Sequence, residues 1–397
     1  MKKQQKININ NLLLYISNIL FFLIFLFTIF GVNKFVSILF SLTFIVTFIL
    51  YLKNILKSFN KTDFITIIII VLTFLNVIVN MLFYNQIGFD YLKKSIIFLF
   101  TIMHFNFMVK ISINKERFVS FLKILFIFLA VSCVLLYFFK NSDMYIFNGK
   151  VSNYLCFNFG NPNETALFMS TLFLLGTSLI GFNNKFIHKL VYFGLLILIA
   201  FFIFETKSRN SLIAIIIYSI FLIFTIFKKR KINFNKSFIL IGISWPIIYF
   251  SLYMIFIDKI KTIFSFLESE GKTLDSRLYI WKYAIENFAK SPIIGAYSQI
   301  NNGYGTSQLF NTHLDVMVSY GFIVFLLFLY YLYRLVQCVN LKCKSVQSKV
   351  CLLSFVAAIM LGMNEAALVS GGLAIHIFIG NFLLLACDDE LIVKTNN

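Results

Sequence analysis

Long apolar runs recur along this chain, and they constrain its fold more than any other feature. Each run is roughly 17 to 23 residues long, enough to cross a hydrocarbon core of about 30 Å as an α-helix. Hydrophobic residues make up 60% of the 397 residues and charged residues only 13%, a composition outside the range of soluble domains. Barrel strands would be shorter and would alternate in polarity. The sequence therefore predicts an all-α integral membrane protein.

The lengths of the runs predict about 12 transmembrane helices. They are expected near residues 12–30, 35–52, 64–83, 95–109, 118–139, 163–181, 187–204, 210–227, 237–257, 314–333, 350–368 and 371–387. One long polar stretch separates predicted helices 9 and 10. The chain thus divides into helices 1–9 in residues 1–257, a loop with an amphipathic helix in residues 258–313, and helices 10–12 with a tail in residues 314–397.

The distribution of positive charge predicts the orientation. Segments expected in the cytoplasm hold about three times as many Lys and Arg residues as the short loops on the other side. This bias places both termini in the cytoplasm and the long loop on the extracytoplasmic face of the cytoplasmic (inner) membrane. The net charge of +19 is then a topogenic signal that also attracts anionic lipids. Because the basic residues form no continuous face, nucleic-acid binding is not expected.

The sequence predicts no metal site and no cofactor. Segments expected outside carry neither paired carboxylates nor His and Cys residues at metal-ligand spacing. Of the six cysteines, only Cys156 falls in a predicted outside loop, so no disulfide framework is indicated. The G-x-S-x-G pattern of a nucleophilic serine is also absent from the sequence.

Polar residues gather where the predicted even-numbered helices begin, all on the outer side. Asn163 and Glu164 open helix 6, Lys207 and Arg209 open helix 8, and His313 opens helix 10. Helix N-termini attract anions through free N–H groups and the macrodipole, and a guanidinium binds phosphate oxygens bidentately. The pattern predicts an outward-facing anion pocket that would suit a phosphate. The alternative for Lys207 and Arg209 is a solvated turn between two helices.

The long loop adds further candidates. Residues 275–290 are predicted to form an amphipathic helix that carries Arg277 and Trp281. This helix could lie on the bilayer interface with Trp281 as its anchor, or it could direct Arg277 at lipid headgroups. Trp281 is also a candidate for binding the substrate, and Tyr304, later in the loop, is a candidate for stacking on a sugar ring.

His313 is the first candidate for a general base. A lone histidine is more often structural than catalytic, and we assign His104, His188 and His376 to the structural class. His313 differs because it is predicted at a helix N-terminus beside the anion pocket. There the macrodipole favours a neutral ring that can accept a proton. Glu164 is the reserve candidate for this role.

Several short motifs carry a family resemblance through their order and their placement. They are Ser208-Arg209, Ser276-Arg277 with Trp281, Pro292 with Gly295, and His313 leading into Tyr320-Gly321. With about 12 helices and a long outward loop, this arrangement resembles the O-antigen ligase and polysaccharide polymerase superfamily (the Wzy/WaaL type). The topology covers most of the chain, whereas the motifs occupy about residues 161–164, 206–210 and 275–321. One departure is Leu314 directly after His313, where many relatives have Asn.

The resemblance implies a GT-C-like membrane glycosyltransferase without a metal. Such an enzyme transfers a glycan from a polyprenyl-pyrophosphate-linked oligosaccharide to a sugar hydroxyl of a lipid-linked acceptor on the outer face of the membrane. In this chain Arg209 and Arg277 would stabilise the leaving diphosphate, His313 would be the base, and direct displacement would invert the anomeric carbon. We expect the polymerase of a capsule, exopolysaccharide or O-antigen, working among membrane lipids with a flippase and a chain-length regulator.

Two alternatives stay open at this point. A ligase would use the same chemistry with a different glycolipid as acceptor. A lipid-linked oligosaccharide flippase or transporter would make no bond, and it predicts interrupted helices and ionisable residues near the middle of the membrane.

Overall fold

The computed structural model describes most of the chain as a bundle of helices. It describes residues 9–30, 35–55, 59–84, 89–139, 144–147, 150–157, 159, 162–183, 185–227, 234–264, 275–295, 309–363 and 375–387. The helices are α1 Ile9–Ile29, α2 Val36–Ile55, α3 Lys61–Tyr84, α4 Phe89–Lys110, α5 Lys115–Phe139, α6 Pro162–Ile180, α7 Phe186–Glu205, α8 Arg209–Phe227, α9 Lys236–Phe264, α10 Asp275–Lys290, α11 Thr312–Lys342, α12 Val346–Leu361 and α13 His376–Ala386.

Most of these helices are long enough to span a membrane. Among the described residues, nine helices are long and apolar enough to cross a bilayer, and α2 and α12 hold shorter apolar stretches. The helices α7 and α8 leave most of their apolar side chains exposed, as expected where a helix faces lipid tails instead of other helices. The predicted all-α integral membrane fold is thereby confirmed.

A short β-hairpin between α5 and α6 is an addition that the apolar pattern did not predict. Strands β1 (Met144–Phe147) and β2 (Lys150–Asn153) pair antiparallel, with Met144 opposite Asn153. The chain then runs through residues 154–157 towards the start of α6.

One end of the bundle collects exposed positive charge, and we call it the basic end. At this end, the last residue of α4, Lys110, forms an ion pair with Asp63 in the first turn of α3. The Lys115 ammonium of α5 donates to the Cys387 carbonyl after α13 (3.0 Å). Exposed cations at this end are Lys61, Arg117, Lys185, Lys189, Lys236, Lys342 and Lys344.

The other end, which we call the site end, contains the starts of α6 and α8 and the ends of α7 and α12. The backbone N–H of Leu155 donates to the Glu205 carbonyl at the end of α7 (3.4 Å). The Thr165 hydroxyl in the first turn of α6 donates to the Cys156 carbonyl (2.6 Å). Residues 154–157 therefore tie the start of α6 to the end of α7.

Helix α11 is broken at Gly321, which corrects the uninterrupted helix predicted at 314–333. Gly321 has φ 85° and ψ 168°, and the His313 ring lies 6.1 Å from the Phe325 ring and 5.8 Å from the Phe328 ring, measured between centroids. On a continuous helix, residues so far apart in sequence would be separated by about 18 Å or more. Residues 312–320 therefore fold back against residues 322–342, and we call them the folded-back segment.

Close packing of the chain after α10 explains why this break requires glycine. The Phe322 N–H donates to the Pro292 carbonyl (2.8 Å). A Cβ atom on Gly321 would overlap the Ile293 carbonyl, and one on Gly295 (φ 88°) would overlap the Ser319 carbonyl. Positive φ and the absence of a Cβ at both positions let the two backbones meet. Residues 292–295, which follow α10, thus pack against the backbone around Gly321 and fix the position of the folded-back segment.

Candidate functional site

The turn between α7 and α8 places Arg209 at the first residue of α8. The Thr206 hydroxyl donates to the Ile203 carbonyl (2.7 Å) and accepts from the Ser208 N–H (3.3 Å). Lys207 adopts φ 52°, a left-handed conformation that reverses the chain within this turn. Arg209 is half-buried there, beside the free N–H groups of the helix start. This position is compatible with the predicted anion pocket.

Lys207 and the α6 residues lie close to the same turn. The exposed Lys207 ammonium sits 5.0 Å from the centroid of the Tyr154 ring, within the range of a cation–π contact. Asn163 and Glu164 are half-buried in the first turn of α6, which residues 154–157 connect to α7. The structure therefore brings Asn163, Glu164, Lys207 and Arg209 to one region of the site end. Tyr154 was not identified from the sequence, since one tyrosine among 19 gives no signal.

Contacts inside the bundle show that Arg209 and the end of α12 lie at a similar depth. The Tyr218 hydroxyl of α8 is hydrogen-bonded to the Ser354 hydroxyl of α12 (2.9 Å). Arg209 lies nine residues before Tyr218, and Gly362 lies eight residues after Ser354. At 1.5 Å per residue, both positions lie about 12–14 Å along the helix axis from this hydrogen bond. The two helices are antiparallel, because α12 starts beside the end of α6 where the Gln347 amide donates to the Gly181 carbonyl (3.3 Å).

Asn311 fixes the start of the folded-back segment. Its side-chain oxygen accepts from the N–H groups of His313 (3.1 Å) and Leu314 (3.0 Å), which caps the helix. Its amide nitrogen donates to the carbonyls of Pro246 in α9 (2.8 Å) and Met363 after α12 (2.9 Å). Asn311 is fully buried, so every polar atom of its amide is used inside the protein.

The end of α12 connects the two groups of candidate residues. The Thr312 N–H donates to the Gly362 carbonyl (2.8 Å), and Gly362 lies at the depth of Arg209. The start of α8 and the start of the folded-back segment therefore share one level of the bundle. They are separated by the end of α12, and the structure shows no direct contact between the Arg209 and His313 side chains among the residues it describes.

His313 lies deeper than the sequence predicts. Its side chain is fully buried (0% exposed) against Phe325 and Phe328. The Ile243 carbonyl approaches the ring without meeting hydrogen-bond geometry, and neither ring nitrogen is hydrogen-bonded to a described residue. The predicted surface position is corrected because the break at Gly321 turns the helix start into the protein. A buried ring without a polar partner is costly, and a bound hydroxyl would supply that partner.

Trp281 also differs from its predicted role in substrate binding. It is fully buried, and its indole N–H donates to the Leu309 carbonyl (2.7 Å). The rings of Phe250 and Tyr253 in α9 meet it edge-on at 5.3 and 5.2 Å. We therefore assign Trp281 a positioning role, since the indole locks α10 onto α9 and onto the chain that leads to His313.

Arg277 can be placed only by its backbone. It lies in the first turn of α10, and Trp281 follows one turn later. Its side chain and the whole of Tyr304 lie outside the described residues.

Lys94 and Asp315 form a buried ion pair that the sequence did not reveal. Lys94 was expected in an outside loop, but α4 begins at Phe89 and includes it. The Ser319 hydroxyl donates to the same Asp315 oxygen (3.2 Å). Two adjacent lysines at a predicted helix edge gave no indication that one of them is buried.

Comparison with known protein families gives a match. Residues 193–329 match the family model described as O-antigen ligase, and this segment contains Lys207, Arg209, Arg277, Trp281 and His313. No curated protein and no solved structure matches the chain. This match confirms the superfamily resemblance found in the sequence.

Proposed function

We propose that this protein is a membrane glycosyltransferase that polymerises a surface polysaccharide (a capsule, an exopolysaccharide or an O-antigen). The match to the O-antigen ligase family indicates a ligase or polymerase type of function in surface polysaccharide synthesis. The observation that carries the finer proposal is the common depth of two helix starts in the family segment. Arg209 begins α8 and His313 begins the folded-back segment at one level of the site end.

The donor in this proposal is an oligosaccharide linked to a polyprenyl pyrophosphate. The Arg209 guanidinium at the start of α8 would bind the diphosphate together with the N–H groups of the helix N-terminus. Arg277 would supply a second guanidinium from α10. As the glycosidic carbon–oxygen bond to the diphosphate breaks, negative charge grows on the leaving group, and these cations stabilise it without a divalent metal.

His313 is the proposed base. A ring nitrogen takes the proton of the acceptor hydroxyl, the hydroxyl oxygen bonds to the anomeric carbon, and the electron pair of the broken bond leaves with the diphosphate. Attack opposite the leaving group inverts that carbon. Because His313 is fully buried in this conformation, the acceptor must displace the side chains that cover the ring.

The charge distribution supports an outward-facing site. Exposed Lys and Arg residues collect at the basic end, and the positive-inside rule assigns such an end to the cytoplasm. The site end would then face outward in the cytoplasmic membrane. A cysteine replacing the exposed Lys207 should react with a membrane-impermeant maleimide on intact cells, and one replacing Lys342 should not. The opposite labelling pattern would reverse the proposed orientation.

A flippase is the second candidate, and two structural observations favour it. The break at Gly321 interrupts a membrane-spanning helix, and the Lys94–Asp315 pair is an ionisable pair buried within the bundle. Transporters of lipid-linked or other substrates often use both features. The family match favours bond formation instead.

The deciding experiment incubates purified protein in liposomes with lipid-linked repeat units. A ladder of lengthening products supports the polymerase, and transfer only to an added glycolipid of different structure supports the ligase. Movement of the intact donor across the bilayer without any new glycosidic bond would overturn the enzymatic proposal. His188→Ala is the matched control for His313→Ala, because His188 is exposed near the start of α7 at the basic end.

A further inference from the structure

A buried ion pair joins α4 to the folded-back segment. The Lys94 ammonium contacts the Asp315 carboxylate, and the two side chains are 3% and 0% exposed. Asp315 belongs to the same helical turns as His313 and also accepts from Ser319. A charge buried in this way is tolerated only with its partner, so the pair ties the depth of Asp315 to that of Lys94.

Other residues on the same face of α4 also contact the folded-back segment. Tyr91, Lys94 and Phe98 follow the spacing of one helix face. Tyr320, at the end of the folded-back segment, stacks on Phe98 (4.9 Å between ring centroids, 14° between planes) and on Tyr91 (6.2 Å, 22°). This face of α4 therefore contacts the folded-back segment at two places, at Asp315 through the ion pair and at Tyr320 through ring stacking.

Helical geometry relates the contacts made by α4 to the direction in which His313 points. Residues two apart on an α-helix point to nearly opposite sides. Asp315 faces Lys94 of α4, whereas His313 faces Phe325 and Phe328 in the second half of α11. Because Asn311 already fixes the start of the segment against Pro246 and Met363, the ion pair fixes its rotation.

We infer that Lys94 and Asp315 are positioning residues, and that their ion pair sets the depth and rotation of the folded-back segment so that His313 can accept the proton of the acceptor hydroxyl. This inference rests on the proposed function for its catalytic consequence. Its structural part, the ordering of residues 312–320, stands independently of that function.

The test compares this ion pair with the second ion pair of the described structure, half-buried Lys110 with buried Asp63 at the basic end. Lys94→Met should lower kcat about 100-fold with KM within about threefold, the cost of a misplaced catalytic group. Amide hydrogen exchange in residues 312–320 should accelerate by about tenfold or more. Lys110→Met should leave both the exchange of that segment and kcat within about twofold of wild type.

A double variant keeps the test decisive where a single one folds poorly. Lys94→Met with Asp315→Asn leaves no unpaired buried charge, and its kcat should stay within about threefold of either single variant. If the kcat losses of the two single variants multiply in the double variant, the inference is overturned. It is also overturned if amide exchange in residues 312–320 is no faster in Lys94→Met than in Lys110→Met. If the wild-type protein makes no glycan product, the proposed function fails, and the exchange comparison still decides the positioning role.

Discussion

At the residue scale, the proposed chemistry depends on the His313 imidazole, whose nitrogens have no hydrogen-bond partner among the described residues. His313 is enclosed by Phe325, Phe328 and the Ile243 carbonyl. Such a ring is costly to bury without a partner, and a ring nitrogen with no other partner can accept a hydrogen bond from a bound hydroxyl. The same burial limits access, so the acceptor must open the site.

Replacing the imidazole with an amide tests that role. His313→Gln keeps a neutral polar side chain of similar size but removes the base, so kcat should fall by about 10²–10⁴ while KM changes little. His188→Gln, at an exposed position, should stay within about twofold of wild type. Steady-state kinetics of product formation give both values. A His313→Gln enzyme with wild-type kcat would remove His313 from the mechanism.

The guanidinium of Arg209 gives a second residue-scale prediction. Arg209→Ala should cost about 2–4 kcal/mol of transition-state stabilisation, or roughly 10²–10³ in kcat/KM. Arg209→Lys should recover only part of this loss, because an ammonium cannot bind phosphate bidentately. The control is Arg117→Ala at the exposed start of α5. Equal activity of Arg209→Ala and Arg117→Ala would show that Arg209 lies in a solvated turn.

Sequence patterns predicted which residues lie at the helix starts, but they did not predict which of these residues are buried. Arg209 was predicted where α8 begins, and the structure has it there. His313 was expected at the membrane surface, and the fold-back at Gly321 buries it. Lys94 was assigned to a loop, because its Asp315 partner is distant in the sequence and no local pattern links them.

At the scale of elements, α10 and the folded-back segment form one unit. Trp281 joins them through the Leu309 carbonyl, and the Phe322 N–H joins them through the Pro292 carbonyl. The range of α10 was predicted correctly as 275–290 because its apolar face has the helical period. The break in α11 was not predicted, because the run 314–333 is largely apolar and the contacts that require the break come from Ile293 and Pro292.

Replacing the indole with a phenyl ring, which lacks the N–H, tests the link between α10 and the site. Trp281→Phe should cost about 1–3 kcal/mol, because the buried Leu309 carbonyl loses its donor. It should also lower kcat, since the chain that leads to His313 loosens. Trp245→Phe is the matched control, because its half-buried indole N–H donates to the Met363 sulfur (3.2 Å), a weak acceptor. Thermal unfolding in detergent should show the smaller loss for Trp245→Phe, and the reverse order would contradict the assignment.

A pair of glycine substitutions tests the break itself. Gly321→Ala combines a positive φ with overlap of the Ile293 carbonyl, and it should cost about 3 kcal/mol or more. Gly194→Ala in α7 meets nothing within 4 Å, and it should be neutral or stabilising by up to about 1 kcal/mol. Thermal unfolding compares the two variants. Wild-type stability in Gly321→Ala would mean that α11 does not fold back at this residue.

At the scale of the whole molecule, the protein is a membrane bundle with a basic end and a site end, and the segment that matches the family supplies Arg209 and His313 to the site end. Run length was enough to predict the helices, because a bilayer imposes the same length on each crossing. The β-hairpin at 144–153 and the fold-back escaped prediction, since both depend on contacts between distant parts of the chain. The common depth of Arg209 and Gly362 follows from the Tyr218–Ser354 hydrogen bond, which no motif encodes.

A cryo-EM structure of the full chain in nanodiscs with a polyprenyl diphosphate bound would examine this assembly directly. We expect diphosphate density at the start of α8, within hydrogen-bond distance of the Arg209 guanidinium, and an opening between that density and the His313 ring. Density at the basic end, or a diphosphate at the site end with His313 still sealed behind Phe325 and Phe328, would contradict the proposed site.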